Sequence, residues 1–341
     1  MALEHLAPGK PLWIFAASGL AIVPLAGWMG RATEHLAVRT GEGVGGLLNA
    51  TFGNAAELII AFSALRAGLY DVVKASIAGS IVGNILLVLG ASMLAGGLRR
   101  KEQHYNAAGA RSQATMLTLA VIGLIVPAAY RAATGTAGGP GLATLSVCVS
   151  VGLLLVYALN LVFSLVTHRG LFEGSHGAEE EHGAVWSVGR SALVLGAATA
   201  VIAWMSEILV GAIEPSAEAL GLNDVFVGVF VVAILGNAAE HSTAVTAAMK
   251  DKMDLSLTIA IGSSVQVALF VAPLLAILSL WFGPAPMDLV FGGGLTLSVL
   301  LAVLIVGQIA GDGRSDWLKG VQLLAVYLIL AMAFLFLPSS G

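Results

Sequence analysis

Gly53-Asn54-Ala55-Ala56-Glu57 occurs a second time, 183 residues further along the chain, as Gly236-Asn237-Ala238-Ala239-Glu240. Each copy places a carboxylate inside a long apolar segment. A charged side chain at mid-bilayer costs at least about 2.5 kcal/mol, so it usually faces a partner, an ion or a water-filled cavity. The repetition predicts a duplicated chain whose two halves each contribute one acid to a shared site.

The composition indicates an integral membrane protein. Of the 341 residues, 58% are hydrophobic and only 11% are charged, and the mean hydropathy is +0.93. Because about 20 apolar residues are needed to cross a bilayer as a helix, we predict ten spans. They are residues 12–30, 44–67, 72–97, 112–131, 141–167, 187–212, 224–249, 255–281, 287–310 and 317–337.

Two features of the apolar segments bear on processing and redox chemistry. The first segment is long and has no clear small-x-small cleavage site, so we expect a retained helix and not a signal peptide. The single cysteine, Cys148, allows no internal disulfide, and we expect it to be a small packing residue. No eukaryotic targeting extension is visible, which favours the plasma membrane of a prokaryote.

The distribution of Lys and Arg predicts the orientation. Of the 16 basic residues, four fall on one side of the ten spans and twelve on the other, and positive loops stay in the cytoplasm. Both termini should therefore be non-cytoplasmic, and the acidic linker 168–186 should be cytoplasmic. Its three consecutive glutamates, 179–181, fit a solvated linker; a Ca²⁺-sensing role is the alternative.

The repeat continues beyond the opening phrase. At the same offset of 183, Gly79-Ser80 pairs with Gly262-Ser263, and Val82 pairs with Val265. Five spans precede the linker and five follow it, and an odd number of spans per copy inverts the second copy relative to the first. We therefore predict an all-α membrane protein with about ten transmembrane helices in two inverted five-helix repeats, with an ion site at the midplane. The predicted parts are an N-terminal tail (1–11), a first repeat (12–167), the linker (168–186) and a second repeat (187–338).

The candidate site is rich in hard oxygen ligands. Glu57 and Glu240 supply carboxylates, and the nearby side chains that also carry oxygen are Asn54, Asn237, Ser80, Ser263 and Gln266. Such donors favour Ca²⁺, Mg²⁺ or Mn²⁺, whereas zinc and copper sites are typically built from imidazole and thiolate. Gly53 and Gly236 would add backbone carbonyls if the helices unwind there.

Exchange follows from charge balance at this pair of acids. One divalent cation or two protons can neutralise both carboxylates, so the two compete for one site. We predict a secondary antiporter that exchanges a divalent cation, Ca²⁺, Mg²⁺ or Mn²⁺, for protons, is not an enzyme and needs no cofactor besides the transported ions. Na⁺ coupling and a cation channel remain alternatives. We expect a lipid bilayer around the chain and no nucleic-acid partner; homo-oligomerisation is left open.

With these residues in hand, the chain resembles the cation/proton exchanger (CAX) family of the calcium/cation antiporter superfamily. The two Gly-Asn-Ala-Ala-Glu phrases carry the resemblance, together with the segments 79–84 and 262–266. The resemblance implies that Glu57 and Glu240 alternately carry Ca²⁺ and protons, with Asn54 and Asn237 beside them. It implies that Ser80, Ser263 and Gln266 orient ligands or coordinated waters. Gly83 stands where symmetry would place a second Gln266, so we expect an asymmetric site. Relatives often carry an additional N-terminal helix, which we do not find here.

Other polar residues have simpler interpretations. His241 follows a site acid, but adjacent helical positions point about 100° apart, so an interhelical hydrogen bond competes with a proton relay. Glu34 and Glu207 fit solvated or salt-bridged helix ends, with a role in a proton path as the alternative. Asp71 and Asp254 each precede a long apolar helix, and we predict that both are helix caps.

Overall fold

The computed structural model of the chain describes residues 10–40, 42–135, 140–168 and 185–336. Most of the predicted N-terminal tail and acidic linker lie outside the described residues. The described part consists of helices joined by short connections. The helices are α1 (Pro11–Thr40), α2 (Glu42–Phe52), α3 (Ala55–Arg66), α4 (Tyr70–Gly97), α5 (Ala107–Thr134), α6 (Pro140–Val162, extended by Phe163–Thr167), α7 (Val188–Gly211), α8 (Ile213–Leu220), α9 (Asp224–Phe226, extended by Val227–Met249), α10 (Met253–Phe282), α11 (Gly293–Ala310) and α12 (Trp317–Leu335).

The predicted helical membrane fold is confirmed. Eight described helices are long and apolar enough to cross a bilayer, and a shorter apolar helix, Gly294–Ala310, adds a ninth candidate. The predicted span 44–67 is occupied by two half-helices, α2 and α3, which meet at the first Gly-Asn phrase. The inverted relation between the two halves stays a prediction.

The helix α4 lies at the centre of the bundle. In its most apolar window 83% of the residues are buried, against 22% in α1 and 28% in α5. A helix that is apolar on all sides is stable only where neighbours surround it. The central position of α4 brings Ser80, at the middle of this helix, within reach of both repeats.

In each half of the chain, the helix that carries the site serine departs from regular α-helical geometry. In α4 the turn Gly83–Val88 is π-helical, and in α10 the turn Val267–Val271 is π-helical. At the repeat offset of 183, Gly83 corresponds to residue 266, and the second turn begins one residue later, at Val267. A π-helical turn inserts an extra residue into the helix and often accompanies a functional site. Here each turn follows the serine of its own repeat.

The two copies of the motif differ in backbone structure. The helix breaks at Gly53 and Asn54, and α3 resumes with a hydrogen bond from Leu58 N to Asn54 O of 3.0 Å. In the second copy α9 remains α-helical from Ala233 through Glu240, and its irregular π-helical turn, Val227–Val232, precedes the motif. Of the two copies, only the first therefore shows the unwinding that would free a backbone carbonyl.

The segment before α11 is a loop held by side-chain contacts. The predicted helix began at residue 287, within this loop. Tyr70 at the start of α4 accepts a hydrogen bond from Ala285 N (2.8 Å). Asp288 pairs with Lys74, whose side chain is only 11% exposed. Asp288 also accepts a hydrogen bond from Val290 N. These side-chain contacts replace helical hydrogen bonds, so α11 begins only at Gly293.

At the opposite end of α4 the chain forms a small two-stranded sheet. The strand β1 (Gln103–His104) pairs antiparallel with β2 (Arg314–Ser315). Gln103 Nε2 donates to Ala248 O and to Asp251 Oδ1, both at 2.9 Å. Asp251 has a φ of +66°, which is uncommon for a residue other than glycine. Gln103 thus fixes the tight connection between α9 and α10.

Three predictions about single residues are wrong. Asp71 and Asp254 lie inside the first turns of α4 and α10, and neither helix has a side-chain cap; Asp254 Oδ1 instead accepts a hydrogen bond from Asn106 N (2.6 Å). A carboxylate in the first turn still interacts favourably with the positive end of the helix dipole. Cys148 is exposed on α6 and is not packed against neighbours in the bundle.

The packing of α4 against α9 predicts different effects for two glycine substitutions on one helix. A β-carbon at Gly79 would collide with the backbone of Val229, whereas one at Gly83 meets no atom within 4 Å. We expect Gly79→Ala to cost about 1–3 kcal/mol of stability, as overpacking does, and to lower the melting temperature in detergent. Gly83→Ala is the matched control and should melt near the parent temperature. Equal melting of the two variants would contradict this packing.

Candidate ion-binding site

The structure brings the predicted site residues together. They come from four helical segments, namely the motif turns of α2–α3 and α9 and the middles of α4 and α10. The buried neutral members are Asn54, Ser80, Asn237 and Ser263, each at most 6% exposed. Glu57 and Glu240 are half-buried, and they lie close enough for their charges to interact. Within the described ranges, no three His, Cys, Asp or Glu side chains cluster.

Each asparagine bonds the serine of the other repeat. Ser263 Oγ donates to Asn54 Oδ1 at 2.6 Å, and Asn237 Nδ2 donates to Ser80 Oγ at 3.0 Å. The offset of 183 exchanges Asn54 with Asn237 and Ser80 with Ser263. The two contacts are thus counterparts, and both join the first half of the chain to the second.

Each motif glycine lies against the other motif's glutamate. A β-carbon at Gly236 would lie 3.1 Å from Glu57 Cγ, and one at Gly53 would lie 3.8 Å from Glu240 Oε1. Glycine therefore allows the backbone of one motif to approach the carboxylate of the other closely. This role requires no unwinding, and it applies to both copies, whereas carbonyl ligation by Gly53 or Gly236 stays a prediction.

A continuous hydrogen-bond chain leads to Glu240. Asn54 Nδ2 donates to Gln266 Oε1 at 2.5 Å, and Ser263 Oγ lies 2.6 Å from Asn54 Oδ1 and 2.7 Å from Glu240 Oε2. A serine hydroxyl has one proton and can donate to only one acceptor at a time. With the Asn54 oxygen facing Ser263, both contacts are hydrogen bonds only when Glu240 carries a proton.

The surroundings of Glu57 are different. Glu57 Oε1 and Asn237 Oδ1 are buried acceptor oxygens without a hydrogen-bond donor among the described residues. Glu57, Ser80 and Gly236 line a small cavity whose other walls are mainly apolar. Buried oxygens without a donor are costly, and a cation or an added proton would satisfy them. Glu57 Oε1 is therefore an unsatisfied oxygen of a residue that lines the cavity, and Asn237 Oδ1 is a second unsatisfied oxygen of the site.

The cavity extends from Glu57 toward the Tyr70 end of α4. Along α3 its lining continues to Ile60 and Ala61, and along α4 it continues from Ser80 to Ile77 and Ser76.

The Gln266 amide has no counterpart in the first repeat, where Gly83 leaves open space. The two carboxylates therefore have unequal environments.

The sequence predicted no role for Asn84, which lies on α4 and contacts His241, the residue after Glu240. His241 Nε2 lies 3.0 Å from Asn84 Oδ1, so His241 makes an interhelical contact. Asn84 is 1% exposed, and its Nδ2 has no acceptor among the described residues. The available signal was a single amide in the otherwise apolar run 83–88, directly after Gly83.

Other polar residues lie away from the site. Glu207 pairs with Arg66 at 3.5 Å, and both side chains are about 60% exposed, as expected for a salt-bridged helix end. Glu34 is exposed near the end of α1. Asn49 is exposed on α2, and its backbone oxygen accepts a hydrogen bond from Gly53 N.

The chain belongs to the sodium/calcium exchanger protein family, whose profile matches residues 10–166 and 190–336. It is 48% identical to a Ca²⁺/H⁺ antiporter from Synechocystis, with 96% of this chain and 91% of the relative aligned. It is 44% identical to the Ca²⁺/H⁺ antiporter ChaA from Bacillus subtilis over 95% of this chain and 92% of the relative. The solved structure of native YfkE is 39% identical and superposes with a TM-score of 0.84, covering 98% of this chain and 96% of that one. The predicted family membership is confirmed.

The hydrogen-bond chain predicts that two adjacent serines respond differently to substitution. Ser263→Ala removes a contact to Glu240 and to Asn54, whereas the Ser264 hydroxyl bonds only backbone oxygens. A hydrogen bond to a charged group contributes about 1.5–3 kcal/mol. We expect the Ca²⁺ concentration for half-maximal transport to rise about tenfold or more in Ser263→Ala, and to stay near the parent value in Ser264→Ala. Dye-based flux at graded Ca²⁺ concentrations measures both, and equal responses would contradict the site.

Proposed function

We propose that the chain is a secondary antiporter that exports Ca²⁺ from the cytoplasm in exchange for protons. The paired Asn–Ser bonds carry the proposal, because they join two membrane-buried glutamates from opposite halves into one site. The names of the Synechocystis and Bacillus subtilis relatives support Ca²⁺ and H⁺ as the two substrates. Relatives with this name are transporters, which fits a protein that is not an enzyme.

The chemistry of the site suits a hard cation. Carboxylate, amide and hydroxyl oxygens are the ligands that Ca²⁺ prefers, in a flexible shell of six to eight oxygens. We assign Glu57 and Glu240 as charged ligands, with Asn54, Asn237, Ser80, Ser263 and Gln266 as neutral ligands or ligand-orienting groups. Gly53 and Gly236 permit the close approach of the two motifs.

Protons replace the cation at the same carboxylates. The contacts of Ser263 are both hydrogen bonds when Glu240 is protonated. Glu57 Oε1 and Asn237 Oδ1 have no donor among the described residues, and Glu57 lines the cavity. Loss of the Glu240 proton lets the Ser263 hydroxyl turn from Asn54 to the carboxylate, which frees the Asn54 oxygen for a cation. Proton release and cation binding are thus coupled through a single hydroxyl group.

The orientation and the division of the chain are part of the proposal. Twelve of the 16 basic residues lie on the linker side of the spans, which supports a cytoplasmic linker and non-cytoplasmic termini. Residues 12–167 and 187–338 then form the two inverted repeats in a prokaryotic plasma membrane. In this orientation the cavity beside Glu57 points away from the cytoplasm.

Substitution of either glutamate tests the shared site. Glu57→Gln or Glu240→Gln keeps the shape of the side chain but removes one charge and one titratable proton. We expect the initial rate of Ca²⁺ uptake into proteoliposomes, driven by a pH gradient with the voltage clamped by K⁺ and valinomycin, to fall below about a tenth of the parent rate. Glu218→Gln, on the exposed face of α8, is the control and should transport normally. Near-normal uptake by either site variant would remove that residue from the mechanism.

The charge balance predicts electroneutral exchange. One Ca²⁺ for two protons moves no net charge, so a pH gradient should drive uptake in proteoliposomes without a capacitive current on a solid-supported membrane. A clear transport current would exclude the two-for-one ratio. Uptake that ignores the pH gradient but responds to an outward Na⁺ gradient would indicate sodium coupling, and uptake that ignores both gradients would indicate a channel.

A further inference from the structure

A second polar cluster lies far from the glutamates, where α1 and α7 meet beside the linker. Trp28 and Trp186 stack with their ring centroids 5.9 Å apart. The guanidinium carbon of Arg31 lies 5.7 Å from the centroid of the Trp28 ring, and that of Arg190 lies 4.4 Å from the Trp186 ring. We call these four residues the arginine–tryptophan corner. Each ring of the stacked pair therefore has a guanidinium group against it.

The corner is held by further contacts. Arg39 donates from Nε to Trp186 O at 3.3 Å and from Nη2 to Val185 O at 3.1 Å. The His35 ring stacks on Trp186 with centroids 4.5 Å apart. These contacts fix the segment before α7 against α1. The Trp186 ring, against which the Arg190 guanidinium lies, is therefore held in place against α1.

Among the described residues, no acidic group pairs with the two arginines of this corner. Arg31 and Arg190 are exposed, and neither forms an ion pair within the described part of the chain. By contrast, five other basic residues of the described part do form ion pairs, namely Arg66, Lys74, Arg100, Arg314 and Lys319. The planar guanidinium group, with its five N–H donors, is well suited to bind phosphate oxygens.

The apolar surface next to the corner indicates where such a phosphate would come from. Val188 is 53% exposed and Leu193 is 74% exposed on α7, and Trp28 is itself 45% exposed. In a membrane-spanning bundle these side chains contact lipid tails, and tryptophan is typical of the headgroup level. The guanidinium groups therefore border a surface that acyl chains cover.

We propose that the arginine–tryptophan corner is a binding site for an anionic phospholipid. The headgroup phosphate accepts hydrogen bonds from one of the two guanidinium groups, the other adds positive charge beside it, and the acyl chains lie along Val188 and Leu193. Basic pockets between membrane helices on the cytoplasmic side bind acidic headgroups in this manner. The bound lipid would join α1 to α7 and hence the first half of the chain to the second. The assignment of this lipid to the cytoplasmic leaflet rests on the proposed orientation.

Native mass spectrometry tests the site with phosphatidylglycerol as the probe. The protein is released from nanodiscs containing phosphatidylglycerol and phosphatidylcholine, and the retained lipids are counted. In the double variant Arg31→Gln/Arg190→Gln we expect retained phosphatidylglycerol to fall about tenfold. The control Arg99→Gln/Lys101→Gln removes two exposed charges from the same side of the bundle and should retain the parent amount.

The outcomes separate this site from the proposed transport function. If both double variants lose phosphatidylglycerol equally, the lipid is held by diffuse charge attraction. If Arg31→Gln/Arg190→Gln retains the parent amount, the corner is not a lipid site. Either result overturns the proposal. The conservative variant Arg31→Lys/Arg190→Lys should retain an intermediate amount, because ammonium groups keep the charge without the planar fork. Retention is measured without Ca²⁺, so it does not depend on transport. Labelling of Arg190→Cys in a Cys148→Ala background by an impermeant thiol reagent from outside intact cells would overturn the assigned leaflet.

Discussion

Two carboxylates in the middle of a membrane protein must be neutralised, and this constraint determines the arrangement of the other site residues. Unpaired charge in a low-dielectric interior is expensive, so Glu57 and Glu240 are stable only with protons, a cation or close hydrogen-bond donors. The neutral groups around them, Asn54 and Asn237 above all, are shared between the repeats. Because each asparagine bonds a serine from the other half, neither half holds a complete site.

The two carboxylates are related by the repeat but have different environments. Glu240 ends a hydrogen-bond chain that runs through Ser263 and Asn54 to Gln266. Glu57 borders a cavity and has an oxygen without a donor in the described chain. One source of this difference is the pair Gln266 and Gly83. Gln266 supplies a side-chain amide to the second half, and Gly83, its counterpart in the first half, has no side chain.

The sequence predicts the membrane helices and the site composition because these depend on local pattern. Long apolar runs specify spans, and buried polar residues repeated at one offset specify which side chains meet. The backbone at the two motifs could not be predicted, since both read Gly-Asn-Ala-Ala-Glu, yet only the first interrupts the helix. Their different surroundings decide the outcome. The loop before α11 was also missed, because its contacts with Tyr70 and Lys74 span more than 200 residues of sequence.

The difference in backbone between the motifs bears on which carboxylate can reorient. Glu240 lies within continuous α9, whose connection to α10 is fixed by Gln103 and by the positive φ of Asp251. Glu57 follows a break at which the helical hydrogen-bond ladder is already interrupted. Turning a segment beside such a break requires fewer backbone hydrogen bonds to be lost than bending a continuous helix. A rearrangement of the backbone on the Glu57 side, where the cavity lies, would therefore break fewer helical hydrogen bonds than one beside Glu240.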